Sequence, residues 1–406
     1  MAISTVSFQG KRTFHTRHTS LASPSALRHP IISSGFGQNC VTVPGVKLLF
    51  VSTAVGPLGA GIAGGVELNL LNLAGELIRR GHVVHIAAVA GSQTGDVPLV
   101  AAVNGLPPAF AQHEPRDQPV VLPHPSATAN LWEAVRALET DYDLIVNWGY
   151  DWLPLYLTPF LHTPVAHVIS MGSLQDTIDA AIAGVLRSFP GTVAVHSEAQ
   201  AQTFAGIEGL VILPCGMDLS AYTFRPRAEP YLAWIGRIVP EKGLEDAFAV
   251  AELTGLALEI MGRLQDEDYF EATRNAYPRA VIRYRGFLPT SEMQQILGRA
   301  QCLLVTPKWV EAFGNVVVEA LACGVPVVAY RRGGPAEIVV DGMTGFLTPP
   351  DDPHAMAAAI KNLPGIDRAC CRAHAETHYS LGAMATRFLD WFEHCMRIEV
   401  ALSEIT

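Results

Sequence analysis

Glu311–Phe346 reads EAFGNVVVEALACGVPVVAYRRGGPAEIVVDGMTGF, and the rest of the chain is best understood outward from it. A carboxylate, Glu311, precedes the turn Phe313-Gly314-Asn315. Apolar residues at helical spacing run from about Val316 to Cys323 around a second carboxylate, Glu319, and Gly324 and Pro326 lead into the apolar run PVVAY. The first N–H groups of a helix have no partner inside it, so this turn presents donors that attract an anion. Helical geometry separates Glu311 from Glu319 by about 12 Å. That reach suits a ligand with hydroxyls at both ends and a diphosphate between them, as in a nucleotide sugar. A capped helix carrying one solvated glutamate has the same spacing, so the stretch alone admits both readings.

Composition narrows the field. A chain of 406 residues can bury two separate cores, and 49% hydrophobic with 16% charged residues describes a globular protein. The net charge of -10 argues against a nucleic-acid partner, which calls for a basic footprint. No apolar run reaches the roughly 18 residues of a membrane span. The cysteines at 40, 215, 302, 323, 370, 371 and 395 show no C-x-x-C spacing, which fits reduced thiols in a cytoplasmic setting rather than a zinc site. Residues 1–45 differ from the rest of the chain: Lys11, Arg12, Arg17 and Arg28 stand among Ser and Thr, and no acidic residue appears before Glu67. That composition fits a disordered extension or a targeting leader, the latter implying a plastid.

From Lys47 onward strand and helix patterns alternate. KLLFVST, VVHIAAVA, DLIVNW, VAHVIS and TVAVHS read as buried strands, with helices at VELNLLNLAGELIRRG, NLWEAVRALE and LQDTIDAAIAGVLRS. Gly91 to Thr128 is Pro-rich and gives no clear pattern. Pro214, Gly216, Pro226 and Pro230 mark a boundary, and a second series runs through YLAWIG, LALEIMG, VIRYRGFL, CLLVTP and PVVAY. Unbroken apolar strands imply parallel sheets covered on both faces. The fold expected is α/β: two doubly wound, Rossmann-like domains with a cleft between them, spanning 46–220 and 221–380. A terminal amphipathic stretch, Tyr379 to Val400, closes the chain; its helix, in 381–406, is free to pack back on the first domain. Ligands of such sheets lie beyond the carboxyl ends of the strands.

Two further constellations sit at strand ends. GPLGAGIAGG contains G-x-G-x-x-G at Gly59, Gly61 and Gly64, but it starts well past the strand, and no acidic residue ends the second strand to hold a ribose. It reads better as a flexible, backbone-rich edge of the cleft than as a dinucleotide turn. WIGRIVPEKG puts Arg237 after a strand and Lys242 at a helix start, two cations suited to a departing diphosphate; surface cations beside Glu241 are the plainer alternative.

Arg237 with Lys242, the E-x7-E pair Glu311 and Glu319, FGNVVVEALACGVPVVA and GGPAEIVVDGMTGFL together resemble the retaining glycosyltransferases of family 4, which have the GT-B fold. The resemblance implies that Glu311 contacts the donor hexose, that Phe313, Gly314, Asn315 and Val316 offer N–H groups to sugar and phosphate, and that Glu319 binds ribose. It also implies that Arg237 and Lys242 stabilise the diphosphate and that Gly64 and Gly65 are the glycine pair of the first domain. Glu311, Arg237 and Lys242 are thus the catalytic candidates. Retention by same-face attack, with the leaving phosphate helping to deprotonate the acceptor, needs neither metal nor further cofactor beyond a UDP-sugar donor. One position departs from the family: Ser170 and Met171 stand where many members carry a histidine, while His167 lies inside its strand. Asp141-Tyr142-Asp143 spells the D-x-D that binds manganese in another fold, but it precedes a strand at the end away from the cleft and reads as a turn.

The acceptor should meet the first domain. Trp148, Tyr150 and Trp152 surround Asp151, and with Glu67 they are the acceptor candidates; such an aromatic cluster suits a flat hydrogen-bonding ring and equally suits core packing. FVSTAVGPLGAGIAGGVELNLLNLA is similar to the start of cyanobacterial glucosyltransferases that attach glucose from UDP-glucose to tetrahydrobiopterin, which implies a small pterin acceptor. A lipid or polysaccharide acceptor, a non-catalytic nucleotide-sugar sensor and a nucleotide-sugar epimerase are the competing readings.

Overall fold

In a computed structural model, residues 45–60 and 64–398 are described; the expectations for the N-terminal extension, and Gly61 of the glycine loop, lie outside them. Thirteen strands form two sheets among the described residues. The first holds β1 (Lys47–Val51), β2 (Val83–Val89), β3 (Leu99–Val103), β4 (Leu144–Asn147), β5 (Val165–Val168), β6 (Val193–Val195) and β7 (Val211–Ile212), in the order β3-β2-β1-β4-β5-β6-β7. The second holds β8 (Tyr231–Ile235), β9 (Ala257–Met261), β10 (Ile282–Tyr284), β11 (Cys302–Val305), β12 (Val327–Tyr330) and β13 (Gly345–Thr348), in the order β10-β9-β8-β11-β12-β13.

Every pairing in both sheets is parallel, as the unbroken apolar runs required. The central strands are buried on both faces: Leu48, Leu49, Phe50 and Val51 of β1 and all of β4 lie out of contact with solvent. Strand order reverses between β1 and β4 in the first sheet and between β8 and β11 in the second. Those switch points open a crevice beyond the carboxyl ends, which is where a ligand fits such a sheet.

Two stretches differ from the sequence reading. Gly91 to Thr128, which lacked a pattern, supplies β3, and the helix after it begins at Ala127 because Ser126 caps it, Oγ accepting from the Ala129 N–H at 3.2 Å. β3 is an edge strand with half-buried and exposed residues alternating, so it carries no continuous apolar run to announce it. The second is Arg368–Tyr379, a helix that the sequence reading did not place; it ends where Ser380 caps the expected terminal helix, Leu381–Arg397. That terminal helix lies on the first sheet. Its Phe388 ring stacks on Trp148 at 6.1 Å, Phe392 meets Phe50 edge-on, and the Trp391 Nε1–H donates to Gly191 O at 2.7 Å.

Candidate functional site

The crevice between the two switch points holds a cavity of about 1450 Å3. Its second-domain wall is built by the loops after β8 and β11 and by the helix Asn315–Ala322. Gly314 precedes that helix at φ 105 and offers no side-chain oxygen to cap it, so the first N–H groups of the helix stay available to a ligand. A Cβ on Gly314 would stand 2.8 Å from Pro335 Cγ, and one on Gly333 would stand 2.7 Å from the Glu311 nitrogen. The GGP turn therefore packs directly under the loop at residues 311–314 and fixes its course.

The charged groups fall into two clusters along this wall. Lys242 Nζ lies 3.0 Å from Glu311 Oε2, with both side chains mostly buried, and 5.3 Å above the Trp309 ring. Arg237 is more open, bonded to Gln265 Oε1 at 3.0 Å and Glu241 Oε1 at 3.2 Å. Further along the helix, Glu319 Oε1 accepts from the Tyr222 hydroxyl at 3.0 Å. Burial raises the Glu319 pKa, partly offset by that hydroxyl, while burial and the adjacent carboxylate push the Tyr222 phenol far up. Asn315 Oδ1 and Trp309 Nε1 are buried without a hydrogen-bond partner among the described residues. Phe313 is buried between His196 and Tyr379, so its backbone rather than its ring is left to a ligand.

The first domain supplies the opposing wall. Gly64 and Gly65 line the cavity, and a Cβ on Gly65 would come within 2.7 Å of Asn315 Nδ2, so the two domains approach as closely as a glycine permits. Ser197 Oγ donates to Ala312 O at 2.7 Å, and Glu337 accepts from the Glu198 and Ala199 N–H groups at 3.0 and 2.7 Å. These bonds tie the residues after β6 to the loop at residues 311–314 and to the helix Pro335–Ile338.

Not all acceptor candidates reach this space. Trp152 is outside the lining, stacked on Tyr156 at 4.6 Å. Glu67 is also outside it: its carboxylate accepts from the Gly59 N–H at 2.7 Å and holds the glycine loop. Trp148 borders the cavity but is only 2% exposed, because the terminal helix clamps its ring. Asp151 borders it too, yet its oxygens already accept from the Leu153 N–H and the Thr128 hydroxyl, capping the helix Trp152–Leu157. Burial raises its pKa. Tyr150 lines the cavity, accepts from the Leu174 N–H at 3.0 Å, and has its pKa raised to about 12 by burial. Asp143 of the D-x-D accepts from the Lys47 N–H at the amino end of β1, away from the cavity.

Sequence reasoning missed Phe110 and its neighbours, Ser170 as a cavity-facing hydroxyl, and His196 behind it. Phe110 sits in the unpatterned stretch, and His196 is a lone histidine at a strand end with no motif around it. His167 is core, bonded to Asn147 and Thr158.

Two parallel-sheet domains facing each other across a cavity at their switch points define the GT-B fold of glycosyltransferases. Residues 221–364 match the family described as Glycosyl transferases group 1. Glycogen synthase of Mycobacterium tuberculosis is 33% identical over 169 residues, covering 39% of this chain and 40% of its own length. D-inositol 3-phosphate glycosyltransferase of Mycolicibacterium smegmatis is 27% identical over 385 residues, 81% of this chain and 86% of its own. The Anabaena protein HepE, solved with UDP and glucose, superposes with a TM-score of 0.67 at 20% identity over 86% of this chain and 99% of its own.

Proposed function

We propose that the chain is a retaining hexosyltransferase that takes a UDP-sugar, with glucose as the hexose, and works in the cytoplasm. The observation that carries the reading is the order of groups along one wall: the Lys242–Glu311 pair, the uncapped helix start at Asn315, and Glu319 with Tyr222. Glu319 takes the ribose hydroxyls. The helix N–H groups, Lys242 and Arg237 take the diphosphate, and Glu311 meets the hexose. As the bond to the sugar lengthens, negative charge grows on the phosphate facing Lys242 and Arg237, and stabilising that charge is the main contribution of the chain to catalysis. In this reading the acceptor attacks from the face the phosphate leaves, so configuration is kept.

The acceptor in this reading is a small flat ring, tetrahydrobiopterin or a related pterin. Its support is the resemblance of residues 50–74 together with Phe110 and Tyr150 on the first-domain wall. A polyhydroxylated acceptor is the second reading, favoured by the inositol phosphate glycosyltransferase similar over 81% of the chain. Incubation with UDP-glucose and each acceptor, with UDP release measured and the product identified by mass, tests both. A glucosylated pterin is expected; turnover of another acceptor with no pterin product overturns the acceptor assignment, and no UDP release with any acceptor overturns the activity.

A further inference from the structure

At the carboxyl end of β5, Ser170 lines the cavity, and its Oγ lies 2.8 Å from His196 Nε2. The other ring nitrogen decides which atom carries the hydrogen. His196 Nδ1 is 3.1 Å from Leu213 O, and a carbonyl can only accept, so Nδ1 bears the hydrogen and Nε2 bears a lone pair. The Cys215 thiol, 3.3 Å from Nδ1, accepts from Asn69 Nδ2 at 3.0 Å, and as a weak donor it competes poorly with the bond from Nδ1 to the Leu213 carbonyl. His196 is buried and its pKa is lowered to about 4 by desolvation, so the ring stays neutral. Ser170 must then donate its only hydrogen to His196, and what it shows the cavity is lone pairs.

The pair is rigidly mounted. Gln200, fully buried, accepts from the His196 N–H at 2.7 Å and donates to Ile169 O and Met171 O at 2.7 and 2.8 Å, so one side chain ties the backbones on either side of Ser170 to that of His196. The next residue, Ser197, bonds Ala312 of the donor loop, and the His196 ring is 6.4 Å from that of Phe313. The hydroxyl thus lines the cavity on a segment held to Ala312 and Phe313, the residues that follow Glu311 on the opposite wall, which in the donor reading is the part of the wall that meets the hexose.

We propose that Ser170 Oγ accepts a hydrogen bond from one hydroxyl of the transferred hexose, with His196 and Gln200 as positioning residues that fix its polarity. This rests on the donor reading above. A donor lacking that hydroxyl leaves Ser170 with an unanswered lone pair, so the contact selects among sugars and not among nucleotides.

The test is a cycle between Ser170→Ala and the four monodeoxy analogues of UDP-glucose, with dissociation constants measured by titration calorimetry beside UDP alone. In the wild type one analogue should bind roughly 2- to 13-fold more weakly than UDP-glucose, the range of a single hydrogen bond. Ser170→Ala should weaken UDP-glucose by a similar factor, add no loss for that analogue, leave UDP unchanged, and be rescued by Ser170→Thr. His196→Ala should reproduce the same cycle with UDP binding intact; should it fail to fold, the Ser170 cycle decides alone. Losses that simply add for all four analogues, with UDP bound normally, overturn this proposal and leave the donor reading standing. A wild type that does not bind UDP overturns the donor reading and the proposal together.

Discussion

In the proposed function, Lys242 and Glu311 are half of a charge arrangement that the diphosphate of the donor completes. Their 3.0 Å contact keeps the lysine aimed at the cavity in the absence of donor. Lys242→Met should lower turnover about 10²- to 10³-fold, as losing one positioned donor to a developing negative charge does. Steady-state UDP release with a thermal melt alongside checks it, since a comparable loss of folded protein would point to a structural role instead. Glu319 makes a second prediction. In the proposed function Glu319 accepts from the ribose hydroxyls; its pKa is raised by burial, and the carboxylate is a much stronger acceptor than the protonated group. Below that raised pKa the protonated group is a poorer acceptor; above it the charged group is a full one. Affinity for UDP-glucose, whose diphosphate does not titrate in that range, should therefore rise with pH through the raised carboxyl pKa. Glu319→Gln should abolish the rise, and a variant that keeps it would show that another group is responsible.

The glycines decide the shape of the cavity at the scale of the element. Gly65→Ala puts a methyl 2.7 Å from Asn315 Nδ2, at the start of a helix that tolerates alanine well. The melting temperature should hold while UDP-glucose binding weakens, because Asn315 must shift at the helix start that meets the phosphate. Gly314→Ala differs in kind. Its backbone lies at φ 105 and its Cβ would press on Pro335, so stability should fall by about 1–3 kcal/mol together with binding, as denaturant titration would show. These elements were largely legible in the sequence. The cavity wall of the second domain is one stretch in which the turn, the helix and both carboxylates are close along the chain, so Glu311 before the turn and Glu319 within the helix Asn315–Ala322 reach it together, although Glu311 itself lies outside the helix that the spacing assumed. The edge strand β3 was not legible, because an edge buries half as much and shows no continuous apolar run.

Across the whole molecule, the helix Leu381–Arg397 crosses from the second domain to pack on the first. Phe388 is fully buried between Trp148, Trp391 and Phe392, so Phe388→Ala should cost about 3–5 kcal/mol in urea or guanidinium unfolding. It should also reduce transfer activity in the folded fraction, since Trp148 borders the cavity; a variant with normal unfolding would show that the helix is only loosely seated. The sequence alone determined the two parallel α/β domains and the cavity wall that carries Glu311 and Glu319, because periodicity, caps and turn chemistry act between residues close along the chain. The tertiary structure decided the opposite wall. Trp148 went to the core because Phe388 arrives from far along the chain, Asp151 was spent as a cap, and Ser170 gained its polarity from His196 and Leu213. Those assignments depend on which distant groups meet a side chain, and only packing settles that.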